Sequence, residues 1–232
     1  MGKPVKRAYD NSRRLAQARA TRLRVIDAAK LLFVEQGYPG TTLEHVADAA
    51  EVALPSLYRM FGSKRALLTA VLETSFVGDD EPVSFGERPG VQDALTEPDP
   101  SKLLDAFAAI ARDFMDRSSA MLHVLATAAQ VDPEAADVLA EIRRQRHTGQ
   151  SRIVAALVDR GALDPSLDPA EACDFVYMLW SPDTHRTLTV DRGWTPQQYE
   201  SWLARALRRT LLAPTRRRGE RAPAATREGR VG

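Results

Sequence analysis

The sequence predicts an all-α chain, three short N-terminal helices followed by a larger helical bundle. Apolar residues recur at three- and four-residue spacing through most of the 232 residues, which marks one face of a helix. No stretch alternates apolar and polar residues convincingly, as a half-buried strand does. Pro and Gly stand mainly at the joints between periodic runs. With 44% hydrophobic and 27% charged residues, the composition suits a chain that buries a core.

The elements follow in order. From Arg19 to Gln36, residues Leu23, Val25, Ile26, Ala29, Leu32 and Phe33 form an apolar stripe, and Gly37 supplies the left-handed residue that ends a helix. A short helix from Thr41 or Thr42, where Thr41-Thr42-Leu43-Glu44 resembles a capping box, ends near Ala50. Leu54-Pro55-Ser56 opens another that reaches Phe61, with Pro55 tolerated in the first turn. Ser63 then caps a helix to about Phe76. Residues 78–100 are acidic and rich in Pro and Gly, and read as a flexible loop. Beyond them, helices are expected over 101–117, 119–130, 133–160, 169–180, 182–191 and 195–212. Several begin with a capping side chain before proline, at Asp132, Asp168, Ser181 and Thr195. Residues 213–232 read as a disordered tail.

Charge is distributed unevenly. The net charge is +1, yet the first 24 residues hold eight basic side chains, among them Lys3, Lys6, Arg7, Arg13 and Arg14, against one acid, Asp10. Residues 1–18 therefore read as a basic arm that is either disordered or enters a nucleic-acid groove. The single cysteine, Cys173, excludes an internal disulfide or a Cys-based zinc cluster, and lies in an apolar run that favours an inert thiol. No apolar run approaches the roughly 18 residues of a membrane span, and no apolar segment follows the basic start as in a signal peptide. A soluble, cytoplasmic protein without metal or cofactor is expected.

Two short helices joined by a tight turn, after a supporting helix, suggest a helix-turn-helix. Leu57 and Phe61, four residues apart, can pack inward. Pro55, Ser56, Tyr58 and Arg59 then point away from the core. Arg59 suits a bidentate bond to guanine, Ser56 permits close approach, and Tyr58 and Lys64 suit phosphates.

The run Thr41-Thr42-Leu43-Glu44-His45-Val46-Ala47-Asp48-Ala49-Ala50, then Val52, then Leu57-Tyr58-Arg59-Met60-Phe61-Gly62-Ser63-Lys64-Arg65-Ala66-Leu67-Leu68, resembles the DNA-binding domain of TetR-family transcriptional regulators. The resemblance is strong over residues 20–75 and architectural over 101–212. It implies a DNA-binding head over 19–62, with Thr42, Tyr58 and Lys64 at the phosphates and Thr41 also among the DNA-binding residues. Ala53, Leu54, Pro55, Ser56, Leu57, Tyr58 and Arg59 form the base-reading segment. It also implies an effector-binding and dimerisation domain over 63–212, a homodimer on palindromic double-stranded DNA, and release by a small apolar or amphipathic effector. The chain departs from the pattern at Glu51, where Gly is usual, and at Ala53, where a capping Ser or Thr is usual. Pro55 replaces the usual small residue. These changes bear on the operator sequence, not on the fold.

In the C-terminal part, Phe175, Val176, Leu179 and Trp180 form one apolar stripe, and Trp202, Leu203, Ala206, Leu207 and Thr210 another. By resemblance these form the dimer interface, although in a monomer both would be core. Phe107, Ile110, Phe114, Met115, Met121, His123, Leu125, Tyr177 and Met178 are the effector-pocket candidates, and the same residues would also serve simply to pack a bundle. The sequence offers no glycine-rich phosphate loop, metal-spaced His pair or nucleophile elbow, so no catalytic activity is expected. The competing reading is an effector-independent regulator, or a helical interaction module whose basic arm meets acidic partners. Steep salt dependence on DNA separates it from a DNA binder.

Overall fold

The computed structural model describes residues 5–78 and 83–213, with backbone alone over 5–12. Among the described residues there are ten α-helices and no strand. Helix α1 spans Val5–Gly40, but Gly37 at φ 73° breaks its geometry, so the last residues form a separate turn. Helices α2 (Leu43–Ala49), α3 (Leu54–Phe61) and α4 (Lys64–Val77) follow. A 3-10 turn (Phe85–Glu87) and α5 (Pro89–Thr96) lead to the long antiparallel helices α6 (Pro100–Ala128) and α7 (Pro133–Asp159). Then come α8 (Pro169–Leu179), α9 (Pro182–Arg186), a π-helical turn (Thr187–Asp191) and α10 (Pro196–Leu211).

The helix starts obey their capping chemistry. Asp99, Asp132 and Asp168 each accept two backbone N–H bonds ahead of a proline, and Thr195 with Gln198 completes a capping box. In the first half of the chain the structure decides between the two starts expected for α2. Thr42 is the cap and accepts from His45 N, while the Thr41 hydroxyl donates to the Leu32 and Gly37 carbonyls left open where α1 stops.

Buried side chains fall into two clusters. One joins α1 to α4 with the C-terminal half of α6 and the start of α7, through Phe33, Leu57, Leu68, Met121, Leu125 and Ala135. The other joins α5, the N-terminal half of α6, the end of α7, α8 and α10, through Leu104, Phe107, Ile153, Val176 and Tyr199. Phe114 packs against both. Helix α6 is thus shared by the two halves of the molecule. The head is not hung on a linker.

Four expectations are corrected. The helix expected from Arg19 begins at Val5, so residues 5–18 are helical and not a disordered arm; the side chains of Lys6 and Arg7, and all of Lys3, lie outside the described residues. The 78–100 loop contains the 3-10 turn and α5, whose Val91 and Ala94 are buried. The helices expected over 101–117 and 119–130 are one, because Ser118 returns its hydroxyl to the Phe114 carbonyl instead of breaking the helix. The helix expected over 182–191 changes to π geometry at Thr187. The tail expectation for 214–232 lies outside the described residues.

Candidate functional site

The α2–α3 turn is closed by Glu51 N donating to Asp48 O at 3.1 Å and Val52 N to Ala47 O at 3.0 Å. This is the double bond of a Schellman turn, and it requires a left-handed residue between. Glu51 occupies that place at φ 53°, where the family pattern has glycine. Helix α3 then starts at Ala53 with no side-chain cap, and Pro55 stands in its first turn. Its inner face is Leu57, fully buried, and Phe61, over whose ring the Arg22 guanidinium lies at 4.5 Å.

The outer face of α3 presents Ala53, Pro55, Arg59 and Tyr58, the last 47% exposed. Arg59 Nη2 donates to Ser56 Oγ at 3.3 Å, which holds the guanidinium along the helix. Gly62 at φ 76° turns the chain, and Ser63 caps α4 by accepting from Ala66 N. Lys64 is less free than a surface lysine: its ammonium sits 4.3 Å from the Tyr38 ring centroid, and burial lowers its pKa from the ordinary value. Thr42 is exposed at the start of α2.

Three DNA-contact candidates are not free on the surface. Thr41 is buried, with its hydroxyl committed to α1. Leu57 belongs to the core, as its spacing from Phe61 requires, and Leu54 is half-buried against the same core. His45, exposed in the first turn of α2, lies outside the candidate set although its neighbour Thr42 was in it.

A cavity of about 830 Å³ opens in the bundle, walled by Phe76 of α4, Phe85 and Val91 near α5, Phe107 and Phe114 of α6, the middle of α7, and Tyr177 and Trp180 at the end of α8. Its aromatic wall is continuous. Phe76 stacks on Phe114 at 5.2 Å, Phe85 meets Phe114 edge-on at 4.8 Å, and Trp180 meets Phe114 edge-on at 6.3 Å. Gln150, almost fully buried, donates from Nε2 to the Trp180 carbonyl at 2.8 Å, while its Oε1 and Trp180 Nε1 have no partner.

Of the effector candidates, Phe107, Phe114, His123 and Tyr177 line this cavity. Met115 is fully buried in the bundle core, and Met121 and Leu125 in the cluster shared with the head. Ile110 packs on the bundle core, and Met178 is 59% exposed on the outside of α8. Periodicity fixed the apolar face of α6, but the lining residues of α7, such as Gln150 and Arg146, lie in a polar run that carries no pocket signal.

The two stripes set aside for a dimer also divide. Val176, Trp180, Leu203 and Leu207 are buried within the single chain, where α10 packs on α6 and α8. Ion pairs from Arg112 to Glu200 and Arg208 to Asp105 fasten α10 to α6. Phe175, Leu179, Trp202, Ala206 and Thr210 remain half-exposed, and Met178 and Val190 stand out beside them.

Among the described residues no cluster of three or more His, Cys, Asp or Glu side chains could hold a metal, and no helix is long and apolar enough to cross a membrane. Cys173 is half-buried, and desolvation raises its thiol pKa.

Comparison with known proteins agrees with this geometry. Residues 25–71 match the model of the bacterial regulatory proteins of the tetR family. The chain is 28% identical over 159 residues to the transcriptional repressor ComR of Escherichia coli, covering 65% of this chain and 71% of that protein. It is 29% identical over 169 residues to the regulator TtgR of Pseudomonas putida, covering 67% and 74%. In fold it resembles NalD, a repressor of a multidrug efflux pump in Pseudomonas aeruginosa, with a TM-score of 0.61, 23% identity, and 83% of this chain and 97% of NalD covered. It also resembles SmeT in complex with triclosan, with a TM-score of 0.65, 17% identity, and 92% of this chain and 100% of SmeT covered. Residues 25–71 thus carry the helix-turn-helix domain of the tetR family of bacterial regulatory proteins, set on an all-helical bundle whose fold is that of the family's solved members.

Proposed function

We propose that the protein is a homodimeric repressor that leaves a palindromic operator when a small molecule enters the bundle cavity. The observation that carries this reading is the stacking of Phe76 on Phe114. Phe76 lies on α4, the helix that follows the recognition helix, and Phe114 is cavity wall. A ligand that displaces Phe114 acts on the C-terminal end of α4, and α4 transmits the shift to α3 through the Ser63 cap and the shared core.

In this reading residues 19–62 are the DNA-binding head and 63–212 the effector and dimerisation domain. Arg59 and Pro55 meet base edges, Tyr58 and Thr42 meet phosphates, and Lys64 reinforces them from the Tyr38 ring. The exposed parts of α8 and α10, with Met178, Phe175 and Trp202, pair with a second copy. The two recognition helices then stand about 34–36 Å apart, one turn of the duplex. TtgR, NalD and SmeT support a regulator of this kind by likeness.

The test is selection of the purified protein on a random DNA library at near-physiological salt. Enrichment of a palindrome is expected, with one dimer per site. A folded dimer that enriches no sequence overturns the reading, and Glu51 and the uncapped Ala53 become the place to look.

A further inference from the structure

The cavity lining is strongly basic on one side. Arg143, Arg144, Arg146, Arg152 and Arg186 contribute to it, against Glu141 and Asp183. Most of these cations are already engaged or solvated. Arg144 pairs with Glu141, Arg152 donates to the Gly86 carbonyl at 3.3 Å, and Arg143 and Arg186 are exposed.

Arg146 differs. Its guanidinium lies 3.8 Å from the Tyr177 ring centroid, its Nε is buried without a hydrogen-bond partner, and it makes no ion pair among the described residues. Burial lowers its pKa from the usual guanidinium value; Tyr177 and Asp183 offset this in part and Arg143 adds to it. Guanidinium stays charged in any protein site, so this is a partly dehydrated cation beside an aromatic-walled void. An acid entering the void would supply what the fold leaves out. A cationic ligand would meet an excess of arginine.

Resting on the reading of this cavity as the effector site, we propose that it takes an amphiphile with an aromatic body and a single acidic group. The rings lie against Phe85, Phe114 and Trp180, and the carboxylate or sulfonate lies on Arg146. Phosphate-rich ligands fit less well, since Glu141 and Asp183 stand among the same arginines.

The test uses two fluorescent probes that share one ring system, anilinonaphthalene sulfonate and its uncharged counterpart phenylnaphthylamine, titrated into the full chain. The sulfonate is expected to bind about tenfold or more tightly than the neutral probe, the scale of one hydrogen-bonded charge contact. Arg146→Gln should abolish that preference while leaving the neutral probe's affinity in place. Ala126→Phe, which narrows the cavity, should weaken both probes. Equal binding of the two probes, or a preference that survives Arg146→Gln, overturns the proposal. If Arg146→Gln does not fold by circular dichroism, Arg146→Lys decides instead: it keeps the charge but loses the planar fork, so the preference should shrink without vanishing, and an undiminished preference refutes the role of Arg146. DNA takes no part in these titrations. A sulfonate preference without operator release would therefore refute the regulatory reading and leave the ligand class standing.

Discussion

In the head, the inward side chains Val25, Phe33, Val46 and Leu57 are fully buried, joined by Leu67 of α4. The bundle around α7 and the end of α8 uses aromatic residues differently. Phe76, Phe85 and Phe114 are only half-buried, because one side of each faces a cavity of about 830 Å³. Close packing makes the head a rigid body that can present α3 in one orientation. The void gives the bundle a second possible packing once it is filled, and α6, shared by both clusters, ties the two behaviours together.

The contrast is sharpest under truncation. Leu57→Ala truncates a fully buried side chain and should cost about 2–5 kcal/mol, read by chemical denaturation. Phe114→Ala removes a larger side chain but enlarges a void that already exists, so its cost should be smaller than that of Leu57→Ala. A Phe114→Ala loss exceeding the Leu57→Ala loss would mean that the cavity is closed in solution and the comparison is wrong.

Next in size is Arg59→Ala, which leaves the head core untouched. It should weaken operator binding by about 1–3 kcal/mol if Arg59 reads a base. Equal losses on operator and random DNA would reassign Arg59 to the backbone.

How far the sequence was legible follows the same division. The head could be read because its joints carry specific chemistry: Gly37, Thr42, Pro55, Gly62 and Ser63 each occupy the turn or cap that their residue type favours. In the bundle an apolar stripe says which face is inward without saying what it meets. Leu203 and Leu207 are core and Trp202 only half-buried against it, though all three belong to one expected stripe of α10. The cavity wall on α7 was illegible for a physical reason, since Arg146 and Gln150 are polar residues held against aromatic ones by tertiary packing. Even in the head, the burial of Thr41 depends on two α1 carbonyls that only the kink at Gly37 brings to it.

A smaller effect comes from the junction of α6, α9 and α10. His185 is 4% exposed, edge-on to Tyr199 at 4.8 Å, with Nε2 3.4 Å from Asp116 Oδ1 but without hydrogen-bond geometry. Desolvation lowers its pKa from the ordinary 6.5, and the Asp116 carboxylate opposes that only in part. As the pH falls below 6.5 the unfolded chain takes up the proton first, so His185 contributes a loss of stability on the acid side. The slope from this one group is at most ~1.4 kcal/mol per pH unit. His185→Leu should flatten the decline in melting temperature between neutral and mildly acid pH, and Asp116→Asn should steepen it. A wild-type decline that His185→Leu leaves unchanged would assign the acid sensitivity to other groups.

The smallest predicted effect lies at the sharpest turn of the head. Glu51 holds a left-handed conformation that costs a side-chain-bearing residue about 1–2 kcal/mol, whereas glycine adopts it freely at an entropic cost of about 0.5–1 kcal/mol. Glu51→Gly should therefore raise stability by about 0–1.5 kcal/mol, seen as a small upward shift in the denaturation midpoint. The substitution also removes a carboxylate beside the α3 N-terminus, where phosphates would approach. Glu51→Ala separates the two causes, because it removes the charge and keeps the strain. If both variants gain affinity for DNA and only Glu51→Gly gains stability, the charge opposes DNA and the backbone opposes folding. If Glu51→Ala is as stable as Glu51→Gly, the strain of the left-handed turn is no larger than glycine's entropic cost, and any gain that both variants share over the wild type belongs to the loss of the Glu51 carboxylate.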